Sequence, residues 1–103
     1  MSLVGVTSDA SSTSVPSIAA GATALAASPA RIGWIIQNLG TNQLFVRFGP
    51  GASSSVFNIV LAAGTVNDNG TGGTFAQTEG IIYKGIITIA GVAPRYTASE
   101  LYE

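Results

Sequence analysis

The chain has 103 residues, of which 47% are hydrophobic and 9% charged, with a formal net charge of −1, no Cys and no His. That length suits one domain with a modest core, and its four cations, Arg31, Arg47, Lys84 and Arg95, are too scattered for counterion release from nucleic acid. No apolar run approaches the roughly 18 residues of a membrane helix, and the missing cysteines exclude a disulfide framework and suit folding in a reducing cytoplasm.

Residues 1–30 differ from the rest. Eighteen of these thirty are Ser, Thr or Ala, none is aromatic, and Asp9 is the only charged side chain. Such a segment buries too little apolar area to offset its ordering entropy. It reads as an extended N-terminal arm, either a loose tail or an extension that orders against a neighbouring subunit. Leu25-Ala26-Ala27-Ser28 looks like a signal cleavage site, but the positive n-region of a signal peptide is missing. Residues 2–6 (SLVGV) are β-prone, and Leu3, Val4 and Val6 are candidate contacts that would add a strand to a partner's sheet edge. Residues 18–27 suit a strand or one weak helical turn.

Residues 31–103 form the expected β domain. Ile32, Trp34 and Ile36 alternate with Gly33, Ile35 and Gln37; residues 39–42 make a turn, and Leu44, Val46 and Phe48 alternate in a second strand. This pattern predicts a hairpin with those six apolar residues on one buried face. After a Gly/Pro loop at 49–54 a third strand is expected over 56–61, and the stretch NDNGTGGT (67–74) is all loop chemistry. Further strands are expected at 80–85, 86–90 and 95–101. Thirteen glycines and apolar runs of about 4–8 residues broken by turns indicate an all-β sandwich or small barrel.

Catalysis has little to work with, so no enzyme activity and no cofactor or metal is expected. There is no His base and no Cys nucleophile, and Asp9, Asp68, Glu79, Glu100 and Glu103 have no metal-ligand spacing. The 67–74 loop has glycines but no P-loop Lys, and Asp68 lacks the alternating acidic partners of a Ca²⁺ loop. Asn69-Gly70-Thr71 matches a glycosylation sequon, which matters only in a secreted eukaryotic protein. Trp34 and the tyrosines would suit a sugar platform, but Trp34 shares its face with Ile32 and Ile36 and reads as core. Tyr96 and Tyr102 are candidate interface residues, since Tyr is enriched at contacts.

The layout of the domain is an Arg opening a strand that ends in IQN, then GTNQLFVRFG, ASSSVFNIVLAAG, GIIYKGIITIAG and a final strand with ASEL. Over residues 31–103 this resembles small all-β structural proteins of tailed bacteriophage virions. The likeness lies in pattern, and no binding residue is carried over by it. It implies a jelly-roll-like subunit, often trimeric, that acts as a capsid decoration (cement) protein on the head surface, made in the host cytoplasm. Its partners would be further copies of itself and the major capsid protein, with no nucleic acid and no membrane. The alternative is a tail or head-fibre component acting as a carbohydrate- or receptor-binding module. Either way, apolar area that a small monomer cannot hide would be buried between subunits.

Overall fold

The computed structural model describes residues 5–10 and 18–102. The strands are β1 (Gly5–Ala10), β2 (Ile18–Leu25), β3 (Arg31–Asn38), β4 (Leu44–Phe48), β5 (Ile59–Leu61), β6 (Thr74–Gln77), β7 (Ile87–Gly91) and β8 (Tyr96–Tyr102). They build two four-stranded antiparallel sheets, ordered β1-β8-β3-β6 and β2-β7-β4-β5. The chain is an all-β sandwich. Its pairing is nested, β1 with β8, β2 with β7, β3 with β6 and β4 with β5, which is the strand order of a jelly roll. From β2 onward every connection except that from β4 to β5 changes sheet. Residues 26–30, 49–58 and 78–86 therefore gather at one end of the sandwich, and residues 39–43, 62–73 and 92–95 at the other.

The alternation in residues 31–48 marks strands correctly, but the two strands are not a hairpin. β3 lies in one sheet and β4 in the other, and residues 39–43 arch between them. A hairpin would leave both apolar faces on one side of a single sheet with nothing opposite. Folding β4 over β3 instead buries both, so that Trp34, Ile36, Leu44 and Val46 are all 0% exposed in one core with Leu25, Ile87 and Ile89. Asn38 pins the arch. Its Nδ2 donates to Asn42 O (2.9 Å) and Ala62 O (3.0 Å), and its Oδ1 accepts from Gly40 N (2.9 Å).

Ile32 departs from the expected face and is only half-buried. The register slips between Arg31 and Gly33, where two steps along β3 oppose one along β8. This bulge reverses the alternation, so Arg31 points inward where Ile32 would otherwise stand. Phe48 is partly buried at the rim of the core, its ring edge-on to Trp34 at 5.4 Å and stacked on Tyr83 at 5.4 Å.

Three other expectations change. Residues 80–85 form no strand and belong to the crossover from β6 to β7, while β6 itself forms where the sequence reads as loop and its flank. The third strand shortens to Ile59–Leu61 because Val56 stays in a loop closed by Ser53, whose backbone exchanges hydrogen bonds with it. Within the N-terminal segment, β1 pairs with β8 of its own chain and β2 with β7, and Ala24 and Leu25 enter the core. Of the stretch 2–6 expected to add to a partner's sheet edge, Gly5 and Val6 pair with β8 of this chain, where the tether keeps the local concentration of β1 high.

Candidate interaction surfaces

The end of the sandwich that carries residues 26–30, 49–58 and 78–86 is organised by Arg31. Its guanidinium is fully buried and makes five hydrogen bonds: two to Glu100 Oε1 (2.9 and 2.6 Å), and one each to Tyr83 O (2.9 Å), Gly85 O (3.1 Å) and Ala26 O (2.7 Å). Arg31 and Glu100 belong to the β3 sheet, whereas Ala26 follows β2 and Gly85 precedes β7 in the other. One planar side chain therefore closes the gap between the sheets, as its fixed fork of five donors permits.

Loop 78–86 is fastened to this plug. Besides the two carbonyls held by Arg31, Tyr83 N donates to Gln77 Oε1 (2.9 Å) and Ser28 N to Lys84 O (2.8 Å). Gln77 Oε1 also accepts from Trp34 Nε1 (2.9 Å), which links the loop to the core. A side chain at Gly85 would lie 2.4 Å from Tyr83 Oη, so the turn there closes against the ring. At the tip, beyond Gly80 (φ 73°), Ile81 is 95% exposed. With Ile32, Ile82, Leu101, Glu79 and Lys84 it lines a cleft of about 600 Å³.

More apolar surface lies nearby. On the outside of the second sheet Phe45 packs on Phe57 at 5.2 Å between ring centroids, and Val56, Phe57 and Val60 are 42%, 40% and 37% exposed. Arg47 is half-buried on the same sheet, with Nε enclosed and without a hydrogen-bond partner. At the opposite end, Val66 and Val92 are each 60% exposed.

The expected interface residues are not brought together. Leu3 and Val4 lie outside the described residues; Val6 is a β1 position opposite Leu101, and Tyr102 a β8 position opposite Gly5 and Arg31. Tyr96 packs inward on the core, and burial raises the pKa of its phenol. Ile81 carried no such expectation, because Ile81 and Ile82 read as strand. The flanking Gly80 and Gly85 were the signal for a loop.

The 67–74 loop is held by its own side chains. Asp68, in the left-handed region (φ 63°), donates its N–H to Leu39 O (2.7 Å), and its carboxylate takes both arms of Arg95 (Nε to Oδ1, 3.0 Å; Nη2 to Oδ2). The hydrogen bonds from Arg95 hold the Asp68 carboxyl below the usual carboxylate range. Asn69 Oδ1 accepts from Thr71 N (3.0 Å) and Oγ1 (2.6 Å), and Asn69 Nδ2 donates to Thr65 Oγ1 (3.1 Å). The Asp68 carboxylate and the Asn69 amide thus make their hydrogen bonds to Arg95 and within the loop. Among the described residues no three His, Cys, Asp or Glu side chains gather as a metal site, and no helix is long and apolar enough to cross a membrane.

No family model, no curated protein and no solved structure matches this chain.

Proposed function

We propose that this chain is a non-enzymatic structural subunit of a tailed-phage virion, a decoration protein that assembles with further copies of itself and bridges major capsid subunits on the head surface. The observation that carries this reading is where the apolar side chains lie. A near-neutral jelly roll holds Val56, Phe57 and Ile81 out at one end, and three apolar residues at one end of a scarcely charged domain suit burial against protein. The nested strand order agrees with the jelly-roll subunit that the sequence resembles. A trimer is the assembly that resemblance favours, since a three-fold plug suits local three-fold positions of a shell. Repetition over a lattice adds avidity to contacts that are weak singly.

Of the aromatic residues that would suit a glycan platform, Trp34 is enclosed and Tyr83 and Tyr96 pack against the core, which favours the decoration reading over the glycan-binding alternative. Electron microscopy of the virion, with the chain labelled, is the direct test. Density repeated over the head lattice is expected. Labelling confined to a tail tip or fibre would return the reading to the receptor module, and absence from the particle would sink both.

A further inference from the structure

We propose that the cleft beside loop 78–86 is the contact through which a second copy of this chain docks, with Ile81 of one copy seated in the cleft of the next. This rests on the reading of the protein as a self-associating shell subunit and names the surface it would use. Ile81 is 95% exposed, yet its loop is anchored at the base by Arg31, Gln77 and Ser28 through hydrogen bonds of 2.8–3.1 Å. An apolar knob already fixed by its scaffold needs little further ordering on contact, which is what an interface anchor requires. Ile81 itself forms one side of the cleft of about 600 Å³, and Ile32, Ile82 and Leu101 are its other apolar walls.

Charge selects the occupant. Glu79 and Lys84 line the same cleft, and neither forms an ion pair; the ion pairs among the described residues are Arg31–Glu100 and Arg95–Asp68. One acid and one base on a single patch are complementary to that same patch on another copy, so Glu79 of one subunit meets Lys84 of its neighbour as Ile81 enters. A uniformly charged partner would gain from one of the two and be repelled by the other.

Light scattering of the full chain over a concentration series tests this on the parent and on Ile81→Asp, Glu79→Lys, Lys84→Glu and the doubly reversed protein. The parent is expected at a multiple of its 10.4 kDa mass, and Ile81→Asp at the monomer mass with an unchanged melting temperature, since an exposed side chain supports nothing inside. Each single reversal should weaken assembly by about tenfold or more, and the double reversal should restore it. A monomeric parent, or an Ile81→Asp protein of parental mass, overturns the contact. Sedimentation with purified phage heads, read in parallel, keeps the two ideas apart. An assembly that dissociates on Ile81→Asp but never binds heads upholds the contact and sinks the shell reading. An Ile81→Asp protein of parental mass that no longer binds heads assigns the cleft to the shell protein and overturns the second-copy contact.

Discussion

Arg31 and Glu100 stand on neighbouring strands of one sheet, and the 2.6 Å ion pair between them orients the guanidinium toward the backbone of the other sheet. Glu100→Leu would leave a cation enclosed without its carboxylate. The expected loss is about 3–5 kcal/mol, the usual result of breaking a buried pair from one side. Arg31→Met combined with Glu100→Leu should recover part of it, because the charge is then gone. Urea unfolding of both proteins is the check; a loss under about 1 kcal/mol for the single change would mean that water reaches the guanidinium.

Trp34 is the only tryptophan and is 0% exposed, with its indole N–H on Gln77. Its fluorescence should be blue-shifted and shielded from iodide until the protein unfolds. Trp34→Ala should cost about 3–5 kcal/mol through the cavity it leaves. Free quenching in the folded state would place the ring outside.

Much of this was legible beforehand and some was not. Alternation in β3 and β4 identified Trp34, Ile36, Leu44 and Val46 as interior, because period two reports which face is buried. It carries no information on which strand lies alongside, so the arch at 39–43 read as a hairpin turn. The bulge at Arg31 was hidden because its stabilisation comes from carbonyls of distant segments. β6 is four residues long with only Phe75 strongly apolar, and β1 and β2 are built largely from Gly, Ala, Ser and Thr, so local pattern left 18–27 open between strand and helical turn and pairing decides it. At the candidate site, exposure of Ile81 depends on a loop held in part by Arg31 and Ser28, distant in the sequence.

Gly72 shows how closely the far loop approaches the arch. A Cβ there would lie 2.2 Å from the backbone oxygen of Asn38, which cannot move without breaking the pin. Gly72→Ala should therefore destabilise the protein by well over the ~1 kcal/mol of an ordinary glycine change. Gly51→Ala, where no atom lies within 4 Å, probes backbone strain (φ 77°) without crowding and should cost less. Thermal melts of the pair decide it; equal losses would remove the steric account.

Among the described residues, Asp68 and Tyr96 have pKa values shifted in opposite directions. Asp68 has a depressed pKa, so its contribution is present above the ordinary carboxylate value of about 3.9 and is lost as pH falls through the lower folded value. Tyr96 has a raised pKa from burial, so its contribution is complete below about pH 10 and is lost as pH rises through the higher folded value. Tyr96→Phe should flatten the alkaline limb of a stability profile and Asp68→Asn should reduce the acid slope. An unchanged alkaline limb in Tyr96→Phe would place that titration elsewhere.

The nested pairing also dictates an order of events in time. β4 and β5 meet across a connection of about ten residues, whereas β1 and β8 must close a loop of most of the chain, and closure entropy rises with that length. Folding should therefore start at the innermost pair and proceed outward, with the terminal strands last to join. Topologies dominated by such distant contacts fold in milliseconds to seconds rather than microseconds. Substitutions in β4 should slow refolding, and those in β2, such as Leu25→Ala, should mainly speed unfolding. Stopped-flow kinetics would read this directly, and the reverse assignment would place the nucleus at the terminal strands. Until the last step β7 and β8 have open edges, so the chain is most prone to pair with its neighbours just before it is complete.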